Sequence, residues 1–436
     1  MMYYSTNHSS PDVTLHEAII HGLAPDRGLY MPERIPAIPK PFFRHISEMT
    51  LHEIAYVVAN TLFGDEMDSE ELRNIVADTL SFDIPLRKVD EHRYVLELFH
   101  GPTLAFKDVG ARFMAHMLAH FHRKDNSDGD VNVLVATSGD TGSAVANGFL
   151  GVPGVKVFVL YPHDKVSPMQ EAQFTTLGSN ITAIEVDGTF DDCQTLVKSA
   201  FTDEELNAAM HLTSANSINV ARFLPQMFYY YHAYARMIQE GADPDRIVVA
   251  VPSGNFGNLC SALIAKRMGL PIKRFIAANN RNDVFLRYLR TGEYTPSASI
   301  TTIANAMDVG APSNFARILD LYSNDHAAIK ADISGCSYTD DEIRDTMREV
   351  YAATGYTLDP HGATACRALG EQLQPGEKGV FLETAHPAKF KETVEEAIGT
   401  RVQVPQRLAA FMRGEKSTVR LSKQFPALKK FLLSRI

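Results

Sequence analysis

The sequence predicts an α/β protein built on mostly parallel sheets. Three observations carry this. Short apolar runs at 131–137, 155–161, 181–187, 246–252, 273–279 and 378–384 alternate with segments of helical periodicity, the spacing of βαβ units. Two of these runs pass directly into turns, one rich in Ser, Gly, Asp and Thr and the other in Ser, Gly and Asn, and then into helical patterns, and ligands of parallel sheets bind beyond the carboxyl ends of the strands. Finally, 436 residues are long for one domain and suggest two or three.

Residues 1–95 read as a mixed, mainly helical extension, with an acidic amphipathic stretch at Asp65–Leu80 and a strand-like end at Arg93–Phe99. Residues 100–108 then read His-Gly-Pro-Thr-Leu-Ala-Phe-Lys-Asp. Val109, Phe113, Met117 and Phe121 recur every four residues and mark one face of a helix that begins near Lys107. Asp108 suits the first turn, where the positive dipole end favours an anion. A lysine placed so, partly desolvated, can lose its proton and form an imine with an aldehyde. The competing reading is a surface lysine at a helix start.

Residues 131–144 run from an apolar strand into Thr-Ser-Gly-Asp-Thr-Gly, and residues 246–258 repeat the plan as Arg-Ile-Val-Val-Ala-Val-Pro-Ser-Gly-Asn-Phe-Gly-Asn. Both gather N–H groups at a helix start, a plan that suits anions. Neither turn ends in Gly-Lys-Ser/Thr, and neither has the Gly-x-Gly-x-x-Gly spacing. A third turn, 384–389, closes the 378–384 run. Gly241–Asp245 and Gly292–Ser299 read as connecting loops.

A net charge of −10 argues against nucleic acid and anionic membrane surfaces as partners. It does not argue against a phosphorylated substrate in a locally positive site. No apolar run approaches the roughly 20 residues that span a bilayer, and the first residues lack a basic stretch followed by an apolar one. Cysteines at 193, 260, 336 and 366 form no Cys-x-x-Cys, so neither a zinc site nor a disulfide framework is expected. His116, His120 and His122 share one helix at a spacing that makes no metal site. A reduced cytoplasm is the expected location.

Several motifs together resemble the threonine synthase family. They are HGPTLAFKD (100–108), TSGDTGSA (137–144), SANSIN (214–219), PSGNFGN (252–258), NAMDVG (305–310) and TAHPAKF (384–390), preceded by GLAPDRGLYMPE (22–33). The resemblance runs nearly end to end in order and is least distinctive beyond about residue 400. It implies a fold-type II pyridoxal-phosphate enzyme of the tryptophan synthase β class, with two open, mostly parallel sheet domains and an N-terminal mixed helical extension. The expected division is 1–95 for the N-terminal domain, 96–400 for the catalytic core of two α/β subdomains, and 401–436 for a C-terminal helical tail.

The implied reaction converts O-phospho-L-homoserine and water to L-threonine and phosphate, by γ-elimination and β-addition on pyridoxal 5'-phosphate. A phospholyase releasing a 2-oxo acid would share the cofactor residues. A non-catalytic binding protein and a cofactor-free phosphate-binding transferase are the readings from other classes. The resemblance makes Lys107 the imine lysine and proton carrier. It places the substrate carboxylate on Ser138, Gly139 and Thr141, and Asp140 beside the cofactor's ring hydroxyl, where an N-cap is the competing reading. Ser253, Gly254, Asn255, Phe256, Gly257 and Asn258 form the expected cofactor-phosphate cradle, Phe256 either facing the ring or filling the core. Lys165, Asn216 and Arg222 are the expected partners of the substrate phosphate. Thr384 is the expected partner of the pyridine nitrogen, with Glu383 competing. His386 and Lys389 stand between the active-site mouth and a structural turn. The expected assembly is a monomer or a homodimer.

Overall fold

The computed structural model describes residues 1–125 and 130–435, and its chain forms two compact units. The first comprises Met1 with residues 31–106 and 223–403, the second residues 2–30, 107–222 and 404–436.

The first unit is built on a six-stranded sheet. Its strands, in spatial order, are Ile333–Ser337, Arg274–Asn279, Ile247–Pro252, Lys378–Glu383, Arg93–Glu97 and Leu86–Lys88. All neighbours pair in parallel except the last, which is antiparallel. The central strands are apolar over most of their length, as strands covered on both faces tend to be. Val248, Ala250, Ile276 and Phe381 are fully buried with Leu369 and Cys366 of the helix Pro360–Gln372. Further out, the acidic stretch forms the helix Ser69–Thr79, whose Leu72, Ile75 and Val76 turn inward. Its N-cap is Asp68, which accepts the Glu70 N–H.

The second unit carries a five-stranded, wholly parallel sheet in the order Val419–Ser422, Ile181–Asp187, Val155–Pro162, Val131–Ala136 and His211–Ser214. Helices Lys107–Asp125, Asp140–Phe149, Pro168–Thr175 and Phe190–Thr202 alternate with these strands. The predicted helical stripe is real: Val109, Phe113, Met117 and Phe121 are all buried. The tail is more than helical. Beside its helices Gln406–Phe411 and Phe425–Leu433 it contributes the strand Val419–Ser422, which pairs with Ile181–Asp187. Lys429 then bridges to Asp203 and Glu205, and Arg420 to Asp187.

The six predicted core strands appear within a residue or two of their expected bounds. The strands at the sheet edges were not legible. Ile333–Ser337 reads Ile-Ser-Gly-Cys-Ser, and His211–Ser214 reads His-Leu-Thr-Ser. An edge strand has one neighbour and one exposed flank, so it needs no continuous apolar run. All four cysteines are free. Among the described residues no helix is long and apolar enough to cross a membrane, and no group of three His, Cys, Asp or Glu side chains could hold a metal ion.

Candidate functional site

In the first unit the site residues lie beyond the carboxyl ends of three adjacent parallel strands, Ile247–Pro252, Lys378–Glu383 and Arg93–Glu97. The first of these leads into the loop Ser253–Asn258 and the helix Gly257–Arg267. Phe256 is the helix N-cap in a left-handed conformation, φ 62°. That conformation is costly for an aromatic residue and is stored mostly at functional turns. Its ring meets that of Phe285 at a tilt, with centroids 4.8 Å apart, and is buried.

Gly254 has no positive φ. A Cβ there would lie 2.7 Å from Met307 Cα and 3.0 Å from Ala306 O. Close approach of the NAMDVG backbone therefore requires this glycine. Ser253 is inward: its Oγ donates to Val251 O at 2.8 Å, and its carbonyl accepts from Asn279 Nδ2 at 2.7 Å. Asn255 Oδ1 accepts the Ser313 N–H at 2.7 Å.

Asn258 carries the clearest sign of a ligand. Its Oδ1 accepts the hydroxyls of Tyr229 and Tyr230, each at 2.6 Å. That fixes the amide's orientation and leaves Nδ2 buried with no hydrogen-bond partner among the described residues. A buried donor without a partner is costly. A phosphate oxygen would satisfy it, so the residues present fit the cofactor's phosphate.

The turn after the Lys378–Glu383 strand is laced to the segment leading to Lys107. Phe106 N–H donates to Thr384 O at 2.9 Å, and His386 N–H to Leu104 O at 3.0 Å. Lys389 Nζ donates to Thr103 O at 2.9 Å. Leu104 takes a left-handed φ of 60° within this lacing. Lys389 is thus buried as a tie for the lead-in segment. His386 accepts the Ala388 N–H on Nδ1 at 3.1 Å, and burial pulls its pKa down to about 4. It is therefore a neutral imidazole that caps the turn and carries its proton on Nε2.

Glu383 and Thr384, the two candidates for the pyridine nitrogen, are separated by strand alternation. Glu383 is fully buried, and its Oε1 accepts the Asp359 N–H at 2.5 Å. Desolvation first, and then the Asp359 charge, raise its pKa well above the usual carboxylate range. Its carboxyl faces Asp359 and Gly362, which leaves Thr384 at the strand end.

The second unit repeats the geometry. Its three adjacent strands His211–Ser214, Val131–Ala136 and Val155–Pro162 end at Asn216, at Ser138–Thr141 and near Lys165 respectively. Thr137, unremarked in the sequence, organises the middle loop. Its Oγ1 accepts the N–H groups of Gly139 at 2.9 Å and Gly142 at 2.8 Å. Gly139, not Asp140, is the N-cap. Asp140 is buried and accepts from Gln170 Nε2 at 2.8 Å. Gly139 has φ 146°, and a Cβ there would lie 2.6 Å from the same Gln170 nitrogen. Ser138 and Lys165 are exposed, while Thr141 and Asn216 are half-buried.

Lys107 opens the helix Lys107–Asp125 and is half-buried. Asp108 beside it is 1% exposed, and so is Arg222. The Arg222 guanidinium donates to Ala215 O. Burial lowers its pKa to about 10, with the Asp108 charge opposing that shift. Arg222 remains charged at neutral pH and lies behind the Lys107 helix. A Cβ on Gly110 of that helix would lie 3.3 Å from Arg222 Nε.

Thr137, Gln170, Tyr229, Tyr230, Asp359 and His361 escaped the sequence reading. Only Thr137 had a signal, its place inside the TSGDTGSA turn. The tyrosines look like core residues of an aromatic helix, and their hydroxyl partners lie 28 and 29 residues away.

Residues 84–384 match the family described as "Pyridoxal-phosphate dependent enzyme", residues 2–80 "Threonine synthase N terminus", and residues 361–432 "Threonine synthase, C-terminal". The chain is 44% identical over 434 residues to a threonine synthase of Escherichia coli, covering 100% of both chains. The crystal structure of an Escherichia coli threonine synthase superposes with a TM-score of 0.93 at 43% identity, again over 100% of both chains. A pyridoxal-phosphate-bound threonine synthase from Brucella melitensis gives a TM-score of 0.93 at 34% identity, covering 100% of this chain and 99% of that one.

Proposed function

This chain belongs to the threonine synthase family of pyridoxal-phosphate-dependent lyases, and from that membership we propose that it converts O-phospho-L-homoserine and water to L-threonine and phosphate. Its fold is that of fold-type II and its cofactor is pyridoxal 5'-phosphate. The observation that carries the substrate assignment is identity of 44% across the full length of the Escherichia coli enzyme. The chemistry the cofactor supplies is an electron sink for negative charge at the substrate's α and β carbons.

In this reading Lys107 is the residue to which the cofactor attaches. Its amine, once released, takes the proton from Cα and later returns one. The donors of Ser253–Asn258, Asn258 Nδ2 foremost, hold the cofactor phosphate. Thr384 offers its hydroxyl to the pyridine nitrogen. A neutral partner there leaves the nitrogen less firmly protonated than a carboxylate would. Ser138, Gly139 and Thr141 receive the substrate carboxylate at a helix N-terminus, and Asp140 stands by the ring hydroxyl. Lys165 and Asn216 orient the substrate phosphate and stabilise its charge as it leaves. Arg222 contributes from a buried position, so direct contact must be separated from support of Asp108.

Along the chain the reading carries an N-terminal domain of 1–95, a catalytic core of 96–400 and a tail of 401–436, supported by the matches over 2–80, 84–384 and 361–432. A cytoplasmic location and a monomeric or homodimeric state belong to the same proposal, and the acidic balance supports neither nucleic acid nor membrane as partner.

The test is incubation of purified protein with O-phosphohomoserine, with phosphate, threonine and 2-oxobutyrate measured together. Threonine and phosphate in equal amounts are expected. Phosphate with 2-oxobutyrate and no threonine would assign the phospholyase reaction instead.

A further inference from the structure

Next to the strand end that carries Thr384, a chain of buried polar contacts leads to the loop Ser253–Asn258. Asp359 caps the helix Pro360–Gln372, its Oδ1 accepting the His361 N–H at 2.7 Å and its Oδ2 the Gly362 N–H at 3.3 Å. The same Oδ1 lies 2.5 Å from His361 Nδ1. Across the ring, His361 Nε2 accepts the Ala306 N–H at 3.2 Å. A ring nitrogen that accepts carries no proton, so the proton sits on Nδ1 and is donated to Asp359. Asp359 thus sets the tautomer that lets Nε2 hold Ala306. Phe390 meets the imidazole edge-on at 4.9 Å, and both His361 and Asp359 are buried, so the ring has no room to turn.

Ala306 and Met307 are the backbone on which Gly254 rests, with Ala306 O and Met307 Cα 3.0 and 2.7 Å from the place of its Cβ. The other side of this segment is pinned by Asp308, which accepts the Thr302 N–H at 3.0 Å and Asn280 Nδ2 at 2.8 Å. His361 is therefore one hydrogen bond and one backbone contact away from the loop.

We propose that His361, oriented by Asp359, is a positioning residue for the cofactor-phosphate loop: it holds the 306–307 backbone against Gly254 and so keeps the donors of Ser253–Asn258 aimed at a phosphate oxygen. This rests on the reading of that loop as the seat of the cofactor phosphate. His361 contacts neither cofactor nor substrate in this scheme. Its effect is confined to ligands that carry the phosphate.

That confinement is the test. The full chain, freed of cofactor, is titrated with pyridoxal phosphate and with pyridoxal, which keeps the aldehyde for Lys107 but has no phosphate. His361→Phe retains a ring against Phe390 and removes the acceptor. It should weaken pyridoxal phosphate about tenfold, the scale of one lost hydrogen bond, and leave pyridoxal within a factor of about two. His361→Gln, which offers a carbonyl to Ala306, should recover most of the loss. If His361→Phe does not fold, His361→Ala removes the same acceptor without the bulk and carries the same comparison. Asn258→Asp keeps an acceptor for both tyrosines and exchanges the phosphate-facing donor for an oxygen. If it lowers the preference for pyridoxal phosphate while the His361 variants weaken both ligands equally, or neither, the positioning role is overturned and the loop assignment stands. If Asn258→Asp also leaves the preference unchanged, the loop is not the phosphate seat and the proposal falls with it.

Discussion

Gly254 sits on the backbone of Met307, whose Cα lies 2.7 Å from where a glycine-254 Cβ would be. The expected cofactor-phosphate cradle includes this glycine, whose φ is not positive. What a side chain there would meet first is the protein's own backbone at Ala306 and Met307.

Gly254→Val should therefore damage the loop even without cofactor. Overpacking against a buried backbone costs about 1–3 kcal/mol. A thermal melt of the cofactor-free variant should show a lower midpoint than the cofactor-free parent. An unchanged midpoint, with only the stabilisation by pyridoxal phosphate lost, would return the glycine to the phosphate.

Lys107→Ala should remove the yellow colour expected of the holoprotein and abolish turnover. In the unaltered protein, borohydride should fix the reduced cofactor on the peptide containing Lys107. Peptide mass spectrometry that finds the adduct on another lysine refutes the assignment.

Arg222→Ala removes a buried cation whose charge interacts with that of the buried Asp108. Breaking a buried charge pair by removing one partner costs about 3–5 kcal/mol, so the variant should lose stability before it loses substrate affinity. Denaturant unfolding of the cofactor-free form measures this directly. Were Arg222 chiefly a partner of the substrate phosphate, stability would be preserved, and catalytic efficiency would fall roughly 10–100-fold.

Glu383 gives a prediction with a definite sign. Burial first, and then the Asp359 charge, hold its folded pKa above the ordinary carboxylate value of about 4.5. The stability it contributes is then complete below pH 4.5 and is lost as the pH rises through its folded value. Glu383→Gln cannot ionise and escapes that loss. Melting midpoints of variant and parent should diverge in the variant's favour from acid to alkaline pH. A constant difference across the range would show that the carboxyl is already ionised in the fold.

Much of the site was legible because strand ends and helix starts leave local marks. The turns at Ser138–Thr141 and Ser253–Asn258 and the stripe from Val109 to Phe121 all follow from neighbouring residues. Asn258 shows where local reading stops. Its place in the loop is visible, but the orientation of its amide depends on Tyr229 and Tyr230, which arrive from another helix. The roles of Asp140, Arg222 and Glu383 were open for the same reason. Each has a distant neighbour that no local pattern shows: Gln170, Asp108 or Asp359.

The sequence by itself determined the alternation of strands and helices, the lysine-headed helix and the two anion-suited turns, because periodicity, glycine and capping residues act over a few positions. It also determined family membership, through motifs kept in order from residue 22 to residue 390. Tertiary structure alone decided which strand neighbours which, which glycines are needed for close approach, and which buried polar groups are satisfied. Those properties depend on pairs far apart in the chain, such as Ala306 with His361 or Glu383 with Asp359. Hydrogen bonds and hard contacts between distant residues exist only once the chain has closed around them, and no local pattern records them.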